Sequence, residues 1–485
     1  MKLRRQSGVI LHPTSLPSPY GAGDFGPDAR KFIDFLASSG MSLWQVLPLQ
    51  HSVFDSPYDC LSSCAGNPLM ISIDSLIQKK LLKKKPEIPV FPDGKVLFRR
   101  AISFKNKILK KAFENFKPDK DFEIFCEKNS GWLDDYCDFM ALSEKHGLPW
   151  TKWPAGLAKR REKEMSLMRE KNRRIILRHK FIQFLFFSQW DALRTYAKKK
   201  GIKIIGDMPM FVSRDSADVW AHPELFLLKK SGKPEFISGV PPDYFSKTGQ
   251  VWGNPVYDWK VMGKNGFTWW KMRFGVAFKM FDFVRIDHFR GFYSYWKIPA
   301  ENKTAKKGKW ARVPGEELFG EIKKTFPSAP VIAEDLGYIP KPVRKFRKKL
   351  GFPGMKILQF AFTKGDKNRF LPANYERNCV VYTGTHDNDM ILGWYSSCSA
   401  YRKRIVRKHL GKITDINAQL TEMAMRSKAA FALFPIQDIL GLGSEARFNT
   451  PGICRGNWSW RVKKDEIPEN KARYLKKLCR QTRRN

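Results

Sequence analysis

Eight short apolar runs constrain this sequence more than any other feature. They are residues 8–12 (GVILH), 43–49 (LWQVLPL), 202–207 (IKIIGD), 281–287 (FDFVRID), 330–335 (PVIAED), 355–360 (MKILQF), 379–383 (CVVYT) and 430–435 (AFALFP). Runs this short, with few polar positions until their ends, read as strands buried on both faces. Helical patterning separates most of them; the clearest case is 28–38, started by Pro27. Strands alternating with helices predict a parallel sheet, and eight of them predict a closed (β/α)8 barrel of the TIM type. The whole chain, 1–485, is expected to form one such α/β barrel. Two intervals are too long for simple crossovers. Residues 76–200 are Lys-rich and mostly helical in pattern, an expected inserted subdomain. Residues 208–280 are rich in Gly, Pro and aromatics, an expected loop-rich insertion lining the functional face.

Composition agrees with a large self-sufficient core. The chain is 42% hydrophobic, with 37 Phe, 15 Trp and 14 Tyr, so folding requires neither metal nor disulfide staples. Its 8 cysteines are scattered, with no C-x-x-C pair, and read as buried thiols in a reducing compartment. Residues 1–8 carry charge but no apolar segment, and the longest apolar stretch, 181–187, is far short of a membrane span. A cytoplasmic location with no membrane partner is expected. The formal charge is +41, from 88 Lys and Arg against 47 Asp and Glu. Nucleic-acid binding is the sharp explanation. The basic runs at 79–85, 159–161, 198–200, 306–309, 344–349 and 402–408 are spread along the chain, so the favoured reading is a solvated basic surface.

Catalytic groups of a barrel sit at the carboxyl ends of its strands. Four candidate strands lead to an acid there: Asp207, Asp287, Glu334 and, past Thr383-Gly384-Thr385-His386, Asp387. A single strand-end acid is most simply a cap or turn residue. Four in one topology point instead to glycoside chemistry, which needs one carboxylate as nucleophile and a second carboxyl as acid and base. Arg285 shares a strand face with Asp287, where a cation favours the ionised nucleophile. His386, Asp387 and Asp389 lack the spacing of a metal site, and no metal or cofactor is expected. Aromatics in loops (Tyr58, Tyr244, Phe245, Trp252, Tyr257, Trp458, Trp460) suit the C–H faces of sugars. Trp269 and Trp270 read as core. The string 21–26 matches G-x-G-x-x-G but follows Pro13, Pro17 and Pro19 rather than a strand, which argues against a dinucleotide site. No G-x-S-x-G elbow supports acyl hydrolysis.

These residues fall within strings that resemble the amylomaltases, the 4-α-glucanotransferases of the α-amylase superfamily. The strings are 5–26, 55–58 (DSPY), 65–70 (AGNPLM), 206–226, 239–258, 284–291 (VRIDHFRG), 333–337 (AEDLG), 382–389 (YTGTHDND) and 441–461. The resemblance implies a barrel with inserted, mainly helical subdomains and no separate C-terminal β-domain. It implies Asp287 as nucleophile, Glu334 as acid/base and Asp387 as transition-state stabiliser. Tyr58, Asp207, Arg285 and His386 would surround the reacting glucose, with Ser56 in the same DSPY motif. Asp243, Gln250, Trp252 and His288 would serve the acceptor side or a lid, and Asn457 the donor side. The expected reaction passes a segment of an α-1,4-glucan (maltodextrin, glycogen or a starch-like polymer) to the 4-hydroxyl of another glucan or of glucose. The runner-up is an α-amylase-type hydrolase, since both share the glycosyl-enzyme. Two departures from the family pattern stand out. Ser52-Val53-Phe54 replaces Gly-Tyr-Gly, which puts a tyrosine-linked secondary glucan contact in question, and Asp59-Cys60 replaces Gln-Ser.

Overall fold

The computed structural model describes residues 3–52, 55–242, 246–363, 365, 368–453 and 456–484. Val53, Phe54, Asp243, Tyr244, Phe245 and Cys454 lie outside the described residues. In chain order the strands are β1 (Gln6–Ile10), β2 (Leu43–Gln45), β3 (Lys203–Met208), β4 (Phe236–Val240), β5 (Gln250–Pro255) and β6 (Phe283–Ile286). They continue with β7 (Ser294–Pro299), β8 (Lys309–Arg312), β9 (Val331–Ala333), β10 (Gly354–Ile357), β11 (Cys379–Tyr382) and β12 (Phe431–Pro435). Eight of these close into a parallel barrel in the order β1, β12, β11, β10, β9, β6, β3, β2. Each expected apolar run supplies one of the eight.

The barrel runs read as continuous apolar segments because both of their faces are buried. In β12, Phe431 and Leu433 point into the barrel with Ile205, Ile332 and Val380. The alternate residues Ala432 and Phe434 face the surrounding helices. Gly8 is dictated by closeness: a Cβ there would sit 2.0 Å from the carbonyl oxygen of Leu43 on the adjacent β2. The outer layer follows the 3.6-residue period. Helix Pro27–Ser38 buries Ala29, Phe32, Ile33 and Leu36.

Between β2 and β3 the long helices Lys120–His146 and Arg173–Lys199 pack through aromatic contacts such as Trp132 with Phe187, centroids 5.7 Å apart. The second helix also belongs to the barrel layer, since Trp190 packs on Phe281 and donates to the Met280 carbonyl. The interval after β3 holds more regular structure than its composition suggested. Strands β4 and β5 join β7 and β8 in a four-stranded sheet of order β5, β4, β7, β8. No apolar alternation betrays β5 or β8, because both are edge strands and largely exposed. Among the described residues no helix is long and apolar enough to cross a membrane.

The seam between β1 and β12 is closed by a buried cation. Arg484 donates to the carbonyls of Met425, Ser427, Ala429, Ala430 and Gln6 at 2.6–3.2 Å. Arg484→Ala would remove all five bonds, although Met425 and Ser427 O keep Arg5 and Ala430 O keeps the Gln6 N–H. A loss of about 2–4 kcal/mol of stability is expected in denaturant unfolding. A midpoint within error of the parent would show that the seam closes without it.

Candidate active site

Pairing of β3 with β6 sets Asp207 directly opposite Arg285. The Arg285 Nη1 lies 2.7 Å from both Asp207 oxygens, and its Nη2 lies 2.9 Å from Asp287 Oδ1, just past the end of β6. Asp207 and Arg285 are fully enclosed, whereas the Asp287 side chain keeps 31% exposure. Burial raises the Asp207 carboxyl, and Arg285 opposes that shift. Burial likewise disfavours the Arg285 cation, yet Asp207 and Asp287 together hold it well above its ordinary value. A guanidinium at 2.7 Å makes the contact an ion pair. One cation thus ties a buried carboxylate to an accessible one.

Glu334 follows β9, whose Ala333 pairs with Ile286 of β6, so it stands beside Asp287 at the barrel mouth. Its Oε2 accepts from the backbone N–H of His288 at 2.9 Å, and its Oε1 from that of Leu336 at 2.7 Å. His288 adopts a left-handed conformation at φ 48° to present that donor, a cost that sites of function tolerate. Burial, reinforced by the charge of Asp287, pushes the Glu334 carboxyl up to about 8. Glu334 is therefore held in its protonated form near neutrality, beside the Arg285-paired Asp287.

Asp387 comes from the segment after β11. The Tyr58 hydroxyl donates to Asp207 Oδ2 at 2.8 Å and lies 3.0 Å from His386 Nε2. That nitrogen is also 3.4 Å from Asp387 Oδ2. With Tyr58 donating to Asp207, the shared proton belongs on His386 Nε2. The Tyr58 and His386 rings stack at 5.5 Å, and Trp458 packs on both, at 5.7 and 5.9 Å. Tyr58, Asp207, Arg285, Asp287, His386 and Asp387 thus form one connected cluster, with Glu334 on its rim.

The remaining expected residues divide. Trp252, 38% exposed, meets the His288 ring edge-on at 4.8 Å and donates to Gln250 Oε1. These three make one aromatic and amide edge beside Asp287. Ser56 Oγ accepts from the Tyr58 N–H and orients that tyrosine. The Asn457 amide is committed to its own loop: it accepts from the Thr450 N–H and donates to the Thr450 and Ile453 carbonyls. In this state it shapes the turn that leads to Trp458. Two aromatics read as exposed sugar platforms are interior. Tyr257 packs among Phe211, Phe226, Trp269 and Trp270 and donates to Met210 O, and Trp458 is buried against Phe448. Trp269 and Trp270 are core, as expected. No group of His, Cys, Asp and Glu that could hold a metal occurs among the described residues.

Three supporting residues were not among the expected site residues, although Arg447 and Asn449 lie within the 441–461 string. Asn449 donates to Asp387 Oδ1 at 2.5 Å, and Arg447 donates to the Asp387 carbonyl at 2.8 Å. Asp438 accepts from Thr383 Oγ1 and from the Ile391 N–H, clamping both ends of the segment that carries His386 and Asp387. Their contacts span 62, 60 and 55 residues, and so no local motif shows what they touch.

A family model described as 4-alpha-glucanotransferase matches residues 11–466. A 4-alpha-glucanotransferase of Thermus thermophilus is 47% identical, with all of both chains covered. One from Synechocystis sp. is 45% identical over 96% of this chain and 95% of its own. Among solved structures, amylomaltase from Streptococcus agalactiae in complex with acarbose superposes with a TM-score of 0.96 at 36% identity, covering 99% and 100% of the two chains.

The Asn449 contact makes a specific prediction for glucan transfer. Asn449→Ala should lower kcat by about ten- to a hundredfold, the worth of one hydrogen bond to a charged group, with little change in KM or thermal midpoint. An unchanged kcat would remove Asn449 from the site.

Proposed function

This chain belongs to the 4-alpha-glucanotransferase family, and we propose that it transfers α-1,4-glucan segments by a retaining double displacement centred on Asp287 and Glu334. The observation that carries the reading is the split between those two carboxyls. Asp287 faces Arg285 and keeps an open side, while Glu334 is held up to about 8 and carries a proton near neutrality. In the first step Asp287 attacks the anomeric carbon as the glycosidic bond breaks. The proton of Glu334 passes to the departing 4-oxygen. A glycosyl–Asp287 ester remains, and the first product leaves with its new 4-hydroxyl. In the second step the 4-hydroxyl of another glucan, or of glucose, attacks the anomeric carbon from the face the first product left, and the bond from that carbon to Asp287 breaks to free the carboxylate. Glu334, now ionised, accepts its proton, and the anomeric configuration is retained overall.

Asp387, oriented by Asn449 and next to His386, is placed to stabilise positive charge developing on the reacting ring. Tyr58, Asp207 and Arg285 would hold the same sugar. Trp252, Gln250 and His288 would receive the acceptor. Maltodextrins and glycogen- or starch-like polymers are the proposed donors. Transfer prevails over hydrolysis when the acceptor side excludes water from the ester.

Incubation with maltotriose is the direct test. Glucose accompanied by a ladder of longer maltodextrins is the expected outcome; glucose and maltose alone would establish hydrolysis instead. Asp287→Asn and Glu334→Gln should each cost about 10³-fold or more in turnover. Retention of most activity by either variant would overturn its role. The pH profile gives a separate check. Because Glu334 is the acid, kcat/KM should fall as pH rises through about 8. The same shift acts on stability. Between about 4.5 and about 8 the folded protein holds a proton that the unfolded chain has released, so this group's contribution declines with rising pH. Glu334→Gln should flatten that decline.

A further inference from the structure

The basic run at 79–85 and the helix Phe98–Glu114 meet across an open groove of about 1640 Å³. One bank carries Lys83, Lys84 and Lys85. The other carries Arg99, Lys107 and Lys111, with Ser103 completing a spacing of four that aligns them on one helical face. These six cations are exposed and make no ion pair among the described residues. Only two carboxylates, Glu87 and Glu114, line the groove beside them. Like charges on successive turns destabilise a helix, so such a face is most stable when an anion occupies it.

The groove offers charge without rings. Arg100 stands over Phe91 at 5.9 Å, and Phe104 is buried, which leaves no open aromatic face for a nucleobase. It also adjoins the active cleft. The Val96 N–H donates to Ser459 O at 2.7 Å, and the Arg461 N–H to Gly94 O at 2.9 Å, next to the Trp458 that packs on Tyr58 and His386. On its other flank the same helix places Phe98 and Ile102 against a small cavity shared with Asp55, Pro57 and Trp458. Trp458 thus packs between the Tyr58–His386 stack and the cavity that the cation-bearing helix lines.

We propose that this groove binds α-glucan chains carrying phosphate monoesters and holds them through those esters, a reading that rests on the glucan-transfer function. A neutral glucan gains little from six ammonium and guanidinium groups, whereas a phosphate-bearing one supplies the missing anions at intervals along the same chain.

The test uses the full-length protein and amylopectin bearing phosphate monoesters, alongside the same polymer after phosphatase treatment. At low salt the phosphorylated polymer should be retained about tenfold more tightly, an advantage that disappears near 0.5 M salt, where screening is strong (about 4 Å). Two variants, Lys83→Glu/Lys84→Glu/Lys85→Glu and Arg99→Glu/Lys107→Glu/Lys111→Glu, should each lose the preference and keep maltotriose turnover. Equal retention of the two polymers by the parent protein would overturn the proposal, as would a preference that survives in both variants. Tighter binding of homopolymeric RNA, abolished by the same substitutions, would replace it with a nucleic-acid site. Failure to convert maltotriose is read separately and would strike the transfer function rather than the groove.

Discussion

The structure's chemistry depends on a single buried cation. Arg285 sits between Asp207, sealed inside the barrel, and Asp287, open at its mouth. Taking a guanidinium and a carboxylate out of water is costly, and the pair persists only because its geometry is close to ideal and its register is fixed by the β3–β6 ladder. The contact is therefore weak evidence for stability and strong evidence for placement. Tyr58 adds a bond to the far side of Asp207, and His386 and Asp387 follow from Tyr58. Three separate segments of chain are thus held in position around one guanidinium.

That arrangement also sets Asp287 and Glu334 in different electrostatic surroundings. Arg285 contacts Asp287 directly, while Glu334 faces a burial penalty increased by the charge of Asp287. The backbone N–H groups of His288 and Leu336 restrain Glu334 without neutralising that penalty. With the cation on one side only, Asp287 is ion-paired while Glu334 is held in its protonated form near neutrality. The fold supplies this asymmetry by putting Arg285 two residues before Asp287 on one strand and Glu334 on the next.

The barrel was legible because strands buried on both faces must be apolar throughout, so their acidic ends stand out. Asp207, Asp287 and Glu334 were visible for that reason alone. The role of each required the family resemblance, since strand ends do not distinguish a sugar ligand from a nucleophile. Three things stayed hidden. Asn449 and Asp438 reach the site across more than 50 residues of chain, and a single sequence holds no record of such contacts. The outer sheet has two edge strands, β5 and β8, with no alternation to read. Tyr257 and Trp458 lie in Gly- and Asn-rich contexts that imitate open loops, but both rings are packed inside. The basic run at 79–85 gave no sign of what faces it. Its charges looked dispersed along the sequence, yet the fold sets them across from a second cationic face.

Loops rather than strands decide what the carboxyls accomplish. Both hydrolysis and transfer pass through the same ester, so the outcome depends on which hydroxyl reaches it. Trp252 and His288 meet edge-on beside Asp287, with His288 held in a strained conformation by its bond to Glu334. On the other side Trp458, also left-handed at φ 66°, backs the Tyr58–His386 stack. Both walls are aromatic, and each is anchored at a residue whose backbone is under strain. Aromatic walls favour a sugar ring over water, because they reward a C–H face and offer water few partners. The backbone conformations that place the His288 N–H on Glu334 and set Trp458 behind the stack therefore also shape both aromatic walls.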